Sequence, residues 1–321
     1  MNVGLYFDLR NPPPWQQDWS RLYAFTLEMC EEAERLGAHS VWLTEHHRFE
    51  DGYLPQPLTF ASAIAARTSR IRIGTAVLIA PLRSPMHIAE EVAVIDIMSQ
   101  GRFDLGLGAG YRIPEFEQFG MDRSARYAAT DACARELRRI WEEREISPLP
   151  IQSRLPIWMG YQGPKGARRA GLLGEGLLSS NPALVDPYRQ GLIEGGHDPE
   201  TARMTGNIQA WVSDDPEADW PTVSKHLAYQ MDSYNRYKVE GTGRPRPRPV
   251  DPERLLKSNK LPGGPGYFIN ARPEEVARRI KGAIAGTPVK TVYLWASIAG
   301  MPEEMVARQI RTVCTKLRPL L

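Results

Sequence analysis

Short apolar runs rich in β-branched residues alternate with longer amphipathic stretches along this 321-residue chain, eight times over. No other feature constrains the fold as much, because strands separated by helices pair in parallel, each crossing over to its neighbour. Strand-like runs fall at residues 3–9, 41–44, 71–79, 103–107, 157–160, 176–179, 207–212 and 292–296. Helix-like stretches fall at 21–36, 58–68, 87–98, 126–145, 166–173, 184–194, 217–239, 274–285 and 303–317, the first closed by Gly37. An open, doubly wound sheet would usually carry a G-x-G-x-x-G turn after its first strand. Here strand one runs into Asp8-Leu9-Arg10-Asn11-Pro12-Pro13-Pro14-Trp15, which cannot cradle a pyrophosphate in that way. The pattern therefore predicts an α/β chain folded as a closed (β/α)8 TIM barrel, a single domain over 1–321.

One segment breaks the rhythm. Residues 241–271 contain Arg244-Pro245-Arg246-Pro247-Arg248-Pro249 and Pro262-Gly263-Gly264-Pro265-Gly266, an irregular insertion before the last helix-strand-helix unit. The Arg-Pro run favours polyproline II and lacks the aromatic interleaving of a nucleic-acid patch. The insertion reads either as a solvated loop or as an active-site lid, together with the loop at 8–19 that carries Trp15 and Trp19.

A formal net charge of +2 is too small to imply nucleic acid or a membrane surface as the main partner, and no apolar run reaches membrane-spanning length. Three scattered cysteines in helix-like stretches argue against a disulfide framework or zinc site. With no signal-like start, the expectation is a cytoplasmic protein.

Chemistry concentrates at strand exits, where barrel ligands bind. Val41-Trp42-Leu43-Thr44 ends in Glu45-His46-His47. Adjacent strand residues point opposite ways, so only one imidazole can face the mouth, the other being structural or solvated. No further His or Cys stands at ligand spacing, so no metal is expected. In the strand at 71–79, Gly74 and Ala76 either let a planar ring approach or simply fit the barrel's taper. Gly106, Gly108 and Gly110 thin the next strand and its exit, where a flat cofactor could lie. At 156–169 a strand ends in Gly160-Tyr161-Gln162-Gly163-Pro164-Lys165 and opens a helix, which is either a phosphate-binding turn or a plain connection.

With these residues assembled, the chain resembles the bacterial luciferase-like flavin monooxygenases. The resemblance covers most of its length and is most specific at Val41-Trp42-Leu43-Thr44-Glu45-His46-His47, Gly74-Thr75-Ala76-Val77 and Met98-Ser99-Gln100-Gly101-Arg102-Phe103. Phe119-Gly120-Met121-Asp122 and Arg272-Pro273-Glu274-Glu275-Val276-Ala277 are also similar. The family is a (β/α)8 barrel that uses FMN or, in a sister group, F420. The resemblance implies His46 as the histidine beside the flavin, its protonation state tuned by Glu45 and burial. It implies a non-prolyl cis peptide at Ala76-Val77 behind the ring, and a cofactor phosphate held by Gly160 to Lys165 and Arg126. Luciferase has a reactive cysteine where this chain has Gly108 and an arginine where it has Ala109. One phosphate contact is then missing unless Lys165 or Arg112 supplies it.

The implied reaction is a monooxygenation of a medium-sized organic substrate. Reduced FMN from a separate reductase meets O2 and forms a C4a-(hydro)peroxyflavin, on a barrel that pairs as a homodimer. Gly163-Pro164-Lys165 also resembles the turn of F420-dependent reductases, so hydride transfer from F420 is the alternative; a non-catalytic flavin-binding barrel is a third reading.

Overall fold

The structure is a computed structural model that describes residues 1–253, 255 and 268–321. Eight parallel strand positions close into a barrel: β1 (Asn2–Phe7), β2 (Ser40–Leu43), β3 (Arg72–Thr75), β5 (Phe103–Gly108), β6 (Ile157–Met159), β7 (Gly176–Leu178), β8 (Met204–Ile208) and β11 (Val289–Trp295). The third position is interrupted. It breaks at a cis Ala76-Val77 peptide and resumes as β4 (Leu78–Ile79), and both halves pair with β5 to shut the cylinder. The predicted barrel and the cis bond are thus both found.

Proline sets several helix starts, where its missing N–H is harmless and its fixed φ suits the first turn. It stands in the first turn of α2 (Pro57–Arg67), α3 (Pro85–Met98), α6 (Gly163–Leu172), α8 (Pro216–Val239) and α9 (Pro273–Ile284). The helix expected to open at 166 therefore begins at 163, which puts Gly163 and Lys165 in its first turn. The other helices are α1 (Trp19–Arg35), α4 (Ile113–Gln118), α5 (Arg126–Glu142), α7 (Val185–Glu194) and α10 (Glu303–Thr312).

Stacked rings line the barrel interior, and Tyr6 Oη reaches Tyr53 Oη at 3.4 Å. Tyr293 lies 5.1 Å from Trp42 and 5.9 Å from Tyr6, ring centre to ring centre. Gly74 makes room for this packing: a Cβ there would sit 2.5 Å from the Trp42 ring. The space beside Gly74 is therefore taken by the Trp42 ring.

The seventh strand departs from expectation. The apolar triplet Ala210-Trp211-Val212 drew the predicted strand to 207–212, but the barrel strand is Met204–Ile208. The chain then leaves the barrel as β9 (Ala210–Val212) and pairs in parallel with β10 (Ile269–Ala271). The triplet owes its apolar character to a second small sheet. β10 also shows that the end of the expected insertion is regular structure. The lid reading of 241–271 falls in part on residues 254 and 256–267, which lie outside the described residues. No described helix is long and apolar enough to cross a membrane.

Candidate active site

Beyond Leu43 the chain leaves the strand, and the two histidines take different partners. His47 Nε2 lies 3.0 Å from Glu45 Oε1, whereas His46 Nδ1 lies 3.0 Å from Glu115 Oε1 in α4. The Glu45 carboxylate also accepts from Arg83 Nη2 at 2.7 Å and from the Ile79 amide at 2.5 Å. It pins the exit of β2 to the turn after β4 and does not touch His46. The partner of His46 is Glu115, not Glu45, a correction to the reading from sequence. A glutamate in the first turn of a six-residue helix looks like any solvated helix-start carboxylate, so nothing in the sequence marked it.

Glu115 is fully buried. Burial pushes its carboxyl up, but the hydrogen bond and charge of His46, the His47 amide and the Arg112 guanidinium outweigh this and hold it below the ordinary range. An ionised carboxylate on Nδ1 keeps the proton on that nitrogen. Nε2 makes no hydrogen bond to any described residue. Phe49 stacks on the imidazole at 4.6 Å, and Tyr53 and Tyr111 meet it edge-on at 4.8 and 5.3 Å.

Arg112 was a candidate for the missing phosphate contact. Instead it is buried against the rings of Phe49 and Tyr237, donates to the His47 carbonyl, and pairs with Glu240 at 2.5 Å. It braces the loop that carries His46 and is not free to bind a phosphate.

α8 lies across this end of the barrel. Tyr234 Oη is 2.7 Å from Tyr53 Oη, Tyr237 Oη accepts from the Glu50 amide at 2.9 Å, and Arg236 pairs with Glu50 at 2.6 Å. Trp15, from the loop at 8–19, packs at 3.9 Å against His226 of the same helix.

A buried polar group sits at the exit of β1, unmarked in the sequence reading. Arg10 pairs with Asp51 at 2.7 Å, both side chains fully enclosed, and Asp8 lies beside them. Burial lifts the Asp8 carboxyl to about 7, against the opposing pull of Arg10. A raised acid pKa means that the folded state holds the proton longer than the unfolded chain, so stability falls as pH rises from about 4 to about 7 and stays reduced above. Asp8→Asn is therefore expected to raise Tm by several degrees at about pH 8 and hardly at all at about pH 4, measured by thermal unfolding.

The second half of the site lies at the start of α6. Gly163 has φ +72°, open space on its Cβ side, and the first helical turn follows directly. Lys165 is exposed and forms no ion pair with the described residues. Tyr161 packs edge-on to Tyr127 at 5.8 Å and donates to Asp131, which also accepts from Arg169. Arg126 lies over the Tyr127 ring at 4.4 Å, and the Nε atoms of Arg126 and Arg169 are both buried without a hydrogen-bond partner. Free amides at a helix start with three cations nearby form the donor set a phosphate requires. Gln162 is exposed at the cap position.

Between the two halves stands Val77. A Cβ on Gly108 would come within 2.2 Å of its side chain, and one on Gly160 within 2.3 Å. These glycines admit Val77 to the wall; the space they free is filled by protein. The Ala76 amide donates to the Leu43 carbonyl at 2.5 Å, so the cis bond is tied to the strand that delivers His46.

The site thus combines a barrel mouth, a histidine–carboxylate pair and a cationic helix start. The chain belongs to the luciferase-like monooxygenase family, whose model matches residues 1–289. It is 29% identical over 165 residues to the oxygenase component of the flavin-dependent trigonelline monooxygenase of Acinetobacter baylyi, 46% of each chain. It is 25% identical over 289 residues to an F420-dependent glucose-6-phosphate dehydrogenase of Kineococcus radiotolerans, 80% of this chain and 82% of that one. In structure it is similar to the monooxygenase RslO1 from Streptomyces bottropensis, with TM-score 0.80, 24% identity and 99% of each chain covered. The chain spans about half the length of the first curated relatives it matches.

Proposed function

We propose that the protein is the oxygenase component of a two-component flavin-dependent monooxygenase, with reduced FMN supplied by a separate reductase. The observation that carries this reading is His46 held by Glu115 at the mouth, on the same barrel end as the cationic start of α6. Reduced FMN, when bound, supplies the electrons with which O2 gives one oxygen atom to an organic substrate and the other to water.

The donor set fits the cofactor's phosphate: Arg126, Arg169 and Lys165 with the first amides of α6 would hold it, and Val77 would back the ring. His46 keeps its Nδ1 proton toward Glu115 and offers Nε2 as the atom that takes up or delivers a proton. Glu45 positions this loop through Arg83 and His47. The rings around His46, closed over by α8, keep water from the reacting centre.

F420-dependent hydride transfer is the second reading. It is supported by the Gly163-Pro164-Lys165 turn and by the extent of the match to an F420-dependent dehydrogenase. Spectral titration with FMN and with F420 separates the two, since the first reading expects the tighter binding for FMN and the second for F420. In the same titration Arg126→Ala should weaken FMN binding by about 10- to 100-fold, the effect of losing a charge-assisted contact, with the fold unchanged by circular dichroism. Unaltered affinity would place the phosphate elsewhere.

A further inference from the structure

The cluster at the exit of β1 holds several buried polar atoms without partners. Asp8 Oδ2, Arg10 Nη1 and Asp51 Oδ1 make no hydrogen bond, although each of the three side chains is at least 97% buried. Groups of this kind are rarely left unmatched, because each isolated buried polar atom costs free energy. Asp8 and Arg10 are separated by Leu9, whose φ of +52° is unusual for a branched side chain and marks a tight local bend.

Arg10 and His46 share one aromatic wall. The Arg10 guanidinium carbon lies 5.7 Å from the ring centre of Phe49, 5.0 Å from Tyr53 and 5.4 Å from Tyr234. His46 packs on the same three rings, at 4.6, 4.8 and 6.3 Å. Arg10, which carries one of the unmatched atoms, and His46 therefore flank the same three rings.

Charge and hydrogen-bonding capacity narrow the ligand. One arginine faces two carboxylates, so the trio has no net positive charge with which to hold an anion. Above about pH 7, where Asp8 is ionised, the orphaned set contains one donor, Arg10 Nη1, and two acceptors, Asp8 Oδ2 and Asp51 Oδ1. A hydroxyl group both donates and accepts and so matches this set, whereas a ketone or an ether only accepts. The surrounding rings favour a flat, apolar body.

We propose that Asp8, Arg10 and Asp51 form a specificity subsite for the hydroxyl of a neutral phenolic substrate, whose aromatic ring lies against the wall shared with His46. The proposal rests on the monooxygenase reading for its turnover but not for its binding.

The test compares 2-naphthol, 2-methoxynaphthalene and naphthalene as probes, with binding to the full chain followed by fluorescence at about pH 8, where Asp8 is ionised and 2-naphthol is neutral. The subsite predicts that 2-naphthol binds at least about tenfold more tightly than either of the others. Asp8→Leu, which replaces a carboxyl disfavoured by burial with an apolar group of similar size, should remove that preference and leave naphthalene binding unchanged. The double variant Arg10→Met with Asp51→Leu, which leaves no unpaired buried charge from that ion pair, should do the same. Equal affinities for the three probes in the parent chain, or a preference that survives both variants, would overturn the subsite and assign the orphaned atoms to bound water. FMN binding without hydroxyl preference would refute the subsite alone, and hydroxyl preference without FMN binding would refute the monooxygenase reading alone.

Discussion

His46→Ala is expected to lower product formation by about a hundredfold or more while FMN affinity stays close to that of the parent, the usual loss for removal of a positioned acid–base group. The two effects separate because His46 belongs to the mouth pair with Glu115, whereas the phosphate donors stand on α5 and α6. In the variant, reduced flavin should still consume O2, but the oxygen should leave as hydrogen peroxide. Measuring peroxide release beside product yield checks both halves of the statement. Equal turnover in variant and parent would remove His46 from the reaction. Glu115→Gln should give an intermediate loss, since the amide can hold the ring but cannot fix the proton on Nδ1 by charge.

Glu45→Ala is expected to act on stability instead, at about 3 kcal/mol or more, because it strands buried partners of an ion pair. The lost contacts are the Arg83 pair at 2.7 Å, the His47 contact at 3.0 Å and the Ile79 amide bond at 2.5 Å. Glu45→Gln keeps an acceptor for the amide and should cost less. Urea unfolding of the variants gives the stability, and the rate per folded molecule gives the chemistry. A Glu45→Gln variant that is as stable as the parent but has lost its turnover would make Glu45 a participant in the reaction.

These two residues also show what the sequence made legible. Alternation of strand and helix led to a parallel sheet, and the missing glycine-rich turn after the first strand pointed to the barrel over an open sheet. The exit of β2 stood out because three titratable residues followed an apolar strand. The cationic helix start at 163 was visible as glycine, proline and lysine after a strand, although its first turn was expected three residues later. The cis bond at Ala76-Val77 entered only through family resemblance, since nothing in the side chains requires it.

Other parts of the site were hidden for physical reasons. Glu115 and Tyr111 belong to the connection between β5 and α5, where a helix of six residues is too short to show a period. Asp8 and Arg10 sit just beyond β1 and share a site with His46 only once the barrel closes and α8 crosses the mouth. Gly106, Gly108 and Gly110 looked like space for a flat cofactor, but glycine in a sequence does not say what fills the gap. At Gly108 it is Val77.

The most direct test of the central claim is to load the protein with reduced FMN without oxygen, admit O2, and follow the flavin spectrum against free reduced FMN. The account predicts that the bound flavin passes through a species distinct from reduced and oxidised FMN and returns to the oxidised form more slowly than in free solution. Direct return to oxidised FMN at the free-solution rate, despite saturated binding, would contradict it.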